Sequence, residues 1–267
     1  MTAFLTGLGG KIAERWLSLL LLLALLYGAA VLCAAWLPYE NGLDKGLLAD
    51  HAKDYLKTCN GRPYAVAVLV VLVLLAVAGL GVLARFAAIL VGRACLGPWP
   101  RPLAPLTPRL TERRRRRVPN GLERYRPACP TAAADRVRLI DERLDAEYGL
   151  RAALLWPRLW LPLSPDVRAP IQASAQAYTA ATALAGWGLL YLALGPFWWP
   201  SLLIGAAEYA TAAVRLRSAI DVFAELVESA VDTHQPAPAA AFSLTLANGS
   251  ITPAQGADVT DRLNKGA

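Results

Sequence analysis

A chain of 267 residues that is 56% hydrophobic, with a formal charge of +7 and a mean hydropathy of +0.38, is far too apolar to be a solvated coil and more apolar than water-soluble domains of this length. Four cysteines and two histidines exclude a disulfide framework and form no Cys/His cluster at zinc spacing, so neither a metal nor a cofactor is expected. HExxH, GxSxG and GxxxxGK[ST] are absent, and Leu8-Gly9-Gly10-Lys11 lacks the Ser or Thr of a phosphate loop, so nothing in the sequence marks an enzyme.

From the N-terminus, Trp16 to Leu37 and Tyr64 to Ala84 are nearly unbroken runs of Leu, Val and Ala, each about the 20 residues that cross a bilayer. The first run is too long for the core of a signal peptide, and Leu32 before Cys33 spoils a lipoprotein-type site. Between the runs, Gly46 to Thr58 carries Leu47, Leu48, Ala52, Tyr55 and Leu56 at helical spacing. The favoured reading of that stretch is a capped connecting loop, with a short amphipathic helix on the outer surface as the alternative. Cys33 and Cys59 fall on the outer side, where they could pair, whereas Cys95 and Cys129 fall on the reducing side.

Past Ala84 the spacing of Arg85, Phe86, Ile89, Leu90 and Arg93 continues a helix out of the membrane. Gly97 to Pro108 then holds Pro98, Pro100, Pro102, Pro105 and Pro108, a density that favours an extended polyproline spacer. The run Arg113, Arg114, Arg115, Arg116 and Arg117 follows. With no aromatic platform beside it, the run is assigned to topology control and lipid head-group contact. A partner protein ranks second and nucleic acid last. Between Arg85 and Arg168 there are 17 arginines against eight acidic residues, which places this segment in the cytoplasm by the positive-inside rule.

Thr131 caps a predicted helix whose apolar face is Val137, Ile140, Leu144 and Tyr148 and whose end is Gly149. Arg138 stands one turn from both Asp135 and Glu142, on what reads as the outer face. Leu150 to Leu163 is too short to span a bilayer and too apolar for a solvated loop. It is predicted to lie in the interface, with Trp156 and Trp160 as anchors and Arg158 at the head groups. Ser164-Pro165 begins the helix leading into a third apolar stretch, Tyr178 to Gly195, and Phe197 to Val214 makes a fourth, joined to it as a hairpin with Trp198 and Trp199 as outer anchors.

Small residues at Ala181, Ala185, Gly186, Gly188, Gly205, Ala206 and Ala210 suit close packing of the hairpin. Glu208 is the single acidic residue inside the four apolar stretches. Its expected partners are Tyr178, Thr179 or Thr182, or a second copy of the protein; the favoured reading shortens the fourth span so that Glu208 faces water or a bundle interior as a structural hydrogen bonder, and the sharper one makes it an ion or proton pathway. Beyond, Leu216, Ile220, Phe223, Val227 and Val231 extend the helical stripe, opposite an acidic face of Asp221, Glu225, Glu228 and Asp232. Pro236 and Pro238 end it, and Thr252-Pro253-Ala254-Gln255 reads as a capping box.

Tyr148-Gly149, Trp156-Pro157-Arg158-Leu159, then Leu163, Asp166 and Arg168 ahead of two apolar spans form a pattern that resembles uncharacterised bacterial membrane proteins, especially of high-GC actinobacteria. The resemblance covers roughly residues 135 to 232 and implies location and architecture, not chemistry. The expected fold is all-α, a polytopic protein of the bacterial inner membrane with four transmembrane helices, a basic cytoplasmic insertion and both termini in the cytoplasm. Its regions are 1–96 with outer loop 38–63, linker 97–130, cytoplasmic and interfacial helices 131–177, hairpin 178–218, and a cytoplasmic helix and tail 219–267. Its expected role is a non-enzymatic anchor or interaction protein, meeting the lipid bilayer and a partner or second copy through 131–148 and 216–232. The alternative is an oligomeric channel or transporter subunit that uses Glu208.

Overall fold

The computed structural model describes residues 22–59, 63–97, 99, 104–117, 122–234 and 250–264. Among these the chain is helical and contains no β-strand. The helices are α1 (Leu22–Trp36), α2 (Lys45–Cys59), α3 (Pro63–Leu96), α4 (Leu106–Arg115), α5 (Ala132–Tyr148), α6 (Ala152–Trp160), α7 (Pro165–Leu194), α8 (Trp199–His234) and α9 (Pro253–Asn264). They cluster into two units, Met1–Leu90 with Ala183–Ala212 and Val91–Thr182 with Ala213–Ala267.

In the first unit, the runs of Val, Leu and Ala carry no proline and outweigh Gly79 and Gly81, so α3 continues for 34 residues. No residue of its most apolar stretch is buried among the described residues, and Leu75 is 64% exposed. The unit's small core joins Ala24, Tyr27 and Ala30 of α1, Ala84 of α3, and Trp187, Leu190 and Tyr191 of α7. Tyr27 stacks edge-on to Tyr191 with centroids 5.0 Å apart and donates its hydroxyl proton to the Leu190 carbonyl at 3.1 Å. Glycine lets backbones meet here: a Cβ on Gly205 would stand 2.7 Å from the Leu192 nitrogen, and one on Gly186 would stand 2.6 Å from the Ala84 carbonyl oxygen.

The stretch favoured as a connecting loop is instead the helix α2. Asp44 accounts for its start, since its carboxylate accepts from the Gly46 and Leu47 N–H groups at 2.8 and 3.3 Å. The start of the segment between α1 and α3 is held by Trp198, whose indole N–H donates to the Gly42 carbonyl at 2.7 Å.

The second unit has a conventional core. Ile140, Leu144 and Tyr148 of α5 meet Leu155 and Leu159 of α6, Ala224, Val227 and Val231 of α8, and Ile251, Val259 and Leu263 near and within α9. Thr131 caps α5 by accepting from the Ala134 N–H at 3.1 Å, and Gly149 ends it in the left-handed conformation with φ 68°. Asp141 caps α6 through the Ala152 N–H at 2.8 Å. The capping box at α9 is closed by the Gln255 side chain, which accepts from the Thr252 N–H at 3.1 Å.

Two expectations change in this unit. The proline-rich spacer gives way to α4 from Leu106, because Pro108 falls in the first helical turn, where its missing N–H has no intrahelical partner to lose. Pro98 and residues 100–103 lie outside the described residues. The segment read as wholly interfacial turns half its apolar side chains inward: Leu150, Leu155, Leu159 and Leu163 are buried, while Trp156 and Trp160 are half-buried and Leu161 is exposed.

Two helices, α3 and α7, are long and apolar enough to cross a membrane. Residues 16–21 of the first expected span lie outside the described residues, and the described remainder, α1, is a shorter apolar helix. Glu208, Tyr209 and Arg215 interrupt the apolar run of α8, which is why that helix falls short on composition.

Candidate functional site

The arginine run is not a uniform charged surface. Arg114 turns inward, donating to the carbonyls of Cys129 and Thr131 at 2.6 and 2.7 Å and pairing with Asp135. Arg115 donates through Nε to the Pro127 carbonyl at 2.7 Å, and Arg116 pairs with Glu112 at 3.1 Å. Arg113 and Arg117 are exposed, as is Arg116. Of the five residues assigned to lipid head groups, then, Arg114 serves as an internal fastener of the loop ahead of α5.

Asp135, read from sequence as an outer-face charge, is 5% exposed. Besides Arg114 it meets Arg138 at 3.4 Å and accepts from the N–H groups of Ala128 and Cys129, both at 2.9 Å. Burial pushes its carboxyl up, but those two N–H groups and Arg114 outweigh it and hold the group below the ordinary carboxylate range. Burial and the neighbouring Asp135 charge push the Cys129 thiol up, which disfavours the thiolate and makes it a poor nucleophile.

The surfaces proposed for a partner, 131–148 and 216–232, meet each other within the chain. Glu228 of α8 pairs with Arg136 and Arg143 of α5 at 2.9 and 3.0 Å, and the Tyr148 hydroxyl donates to Asp232 at 3.0 Å. Burial and these carboxylate acceptors raise the Tyr148 phenol above its ordinary range. The acidic face of α8 thus has a basic counterpart on α5, which a hydrophobic stripe alone does not disclose.

On α6, the rings of Trp156 and Trp160 lie 5.6 Å apart. The Arg168 guanidinium, on the first turn of α7, sits 5.7 Å over the Trp160 ring and donates through Nη2 to the Leu161 carbonyl at 2.7 Å. Its Nε is shielded from solvent and has no hydrogen-bond acceptor among the described residues. Arg158, the head-group residue expected here, is exposed and donates to its own helix at the Leu154 carbonyl, 2.7 Å away. Arg168 was noticed in the sequence only as part of a pattern; the signal that could have singled it out is its spacing of eight residues from Trp160 across the Ser164-Pro165 turn.

In the first unit Glu208 is half-buried, and its Oε2 is shielded without a donor among the described residues. Its expected partners are committed elsewhere. Thr179 donates to the Ala175 carbonyl at 3.0 Å, Thr182 to the Thr179 carbonyl at 2.8 Å, and Tyr178 to the Gly92 carbonyl at 3.3 Å. Gly188 leaves the space beside it, since a Cβ there would lie 3.3 Å from the Glu208 Cβ. Cys33 is a free thiol, and the side chain of Cys59 lies outside the described residues. Among the described residues no three His, Cys, Asp or Glu side chains gather closely enough to hold a metal ion.

No family model, no curated protein and no solved structure matches this chain.

Proposed function

We propose that this protein is an integral membrane anchor of a bacterial inner membrane, with four spans, and that its second unit is a cytoplasmic helical module presented to partner proteins. The observation that carries the reading is α3, whose most apolar stretch has no buried residue among the described residues. In water such a helix leaves side chain after side chain unburied, each at a cost of about 1.5–3 kcal/mol, and a bilayer removes that cost. The spans are α1 with the residues before it, α3, α7 and the first half of α8. The arginine excess keeps the second unit inside.

Because α5 and the end of α8 satisfy each other, the surface left for a partner is the outward side of α4, with Arg113, Arg116 and Arg117 exposed. An acidic partner face fits it. Photo-crosslinkers placed at Arg109 and Glu112, both exposed, in native membranes should give one discrete adduct, lost when Arg113, Arg116 and Arg117 are all changed to Gln. No adduct from either position would overturn the role.

A second reading, an oligomeric channel or transporter subunit, is favoured by the shielded and unpartnered Oε2 of Glu208. Cation or proton flux into liposomes holding the purified chain would then fall to background in Glu208→Gln. Equal leakage through both proteins excludes this reading.

A further inference from the structure

The two tryptophans of α6 line a groove that is open among the described residues. It has a volume of about 460 Å³ and is walled by Trp156, Pro157, Trp160, Ile171, Gln172 and Phe223, with no charged side chain in its lining. Trp156 and Phe223 also border a second apolar hollow of about 280 Å³, so the two adjoin. At the mouth stands Arg168, held over Trp160 and by the Leu161 carbonyl, with its Nε lacking an acceptor.

We propose that this corner binds one anionic phospholipid of the cytoplasmic leaflet, its phosphate on the Arg168 guanidinium and an acyl chain along Trp156, Trp160, Ile171 and Phe223. This rests on the membrane reading above. Arginine suits a phosphate because its planar fork donates to two oxygens at once, and the Leu161 carbonyl engages only Nη2 of it. The groove itself has no carboxylate, and Asp141, which borders the adjoining hollow, is engaged by the Ala152 N–H, which disfavours a head group with a cationic end. The surrounding arginine excess adds attraction for net negative lipid.

The test uses the full chain purified in detergent and titrated with phosphatidylglycerol or phosphatidylcholine carrying dibrominated acyl chains, reading tryptophan fluorescence. Phosphatidylglycerol should quench saturably at a concentration at least fivefold lower than phosphatidylcholine does. Arg168→Gln should remove that gap, Arg168→Lys should restore part of it, and Trp160→Phe should lower the quenching amplitude. If Arg168→Gln does not fold, as judged by its melting curve, Arg168→Lys and Trp160→Phe decide. An unchanged preference in the folded variants, or equal wild-type response to both lipids, overturns the proposal. So does inorganic phosphate that displaces nothing from brominated lipid yet itself protects Arg168 from a guanidine-directed reagent, because the site would then take a free anion. An alkaline wash of native membranes separates the two layers of inference: release of the wild-type chain sinks the membrane reading, whereas a retained chain without lipid preference sinks only this site.

Discussion

Asp135 ties together the loop ahead of α5, because two arginines and two backbone N–H groups converge on it. Removing one partner of a buried pair leaves the other charge uncompensated, at about 3–5 kcal/mol. Asp135→Asn should therefore lower the melting temperature of the full chain in detergent and expose the loop ahead of α5 to protease. The sign of its pH dependence follows from a carboxyl held below its ordinary range in the folded state. The stabilisation is complete above the unfolded value, about 3.9, and is lost as pH falls from there through the lower folded value. The gap in melting temperature between wild type and Asp135→Asn should stay constant from pH 7 to about pH 5 and shrink below about pH 4. A gap that does not shrink at all below about pH 4 would assign the effect to shape, not charge.

Among the elements, α9 is tied to α5 by backbone contact. A Cβ on Gly256 would stand 1.7 Å from the Tyr148 carbonyl oxygen and one on Gly149 would stand 2.2 Å from the Pro253 carbonyl oxygen, while Thr260 donates to the Gly149 carbonyl at 3.0 Å. Gly256→Ala should undock α9, seen as faster hydrogen exchange in Pro253–Asn264 with α3 and α7 unaffected; unchanged exchange would show that the contact yields. This docking was hidden from the sequence, where Gly256 is one glycine among 20 and only the capping box before it is local. What was legible was local chemistry of that kind: the Thr131 cap, the Gly149 stop, and the stripe from Leu216 to Val231 that continues α8 past the apolar hairpin. What was not legible depends on distant partners. Arg114 lies in a run of five arginines, and nothing nearby in sequence says that it alone pairs with Asp135, 21 residues on. Likewise the leucines of α6 read as lipid-facing because the side chains that cover Leu155 and Leu159 come from α5, α8 and α9.

At the scale of the whole molecule, orientation is a question of charge. The arginine-rich segment has 17 basic residues against eight acidic ones, whereas the outer segment from Pro38 to Arg62 holds four of each. Reporter fusions at residues 115 and 267 should report cytoplasm and one at residue 50 the opposite side. An outward reporter at 115 would overturn the arrangement. The core of the second unit also has a temporal consequence, since its members run from Ile140 to Leu263. During synthesis, α7 and α8 leave the ribosome before the segment that seals Leu155, Leu159 and Val231 exists. A nascent chain cut short ahead of Ile251 would leave that apolar seam open, the kind of species that quality-control proteases remove.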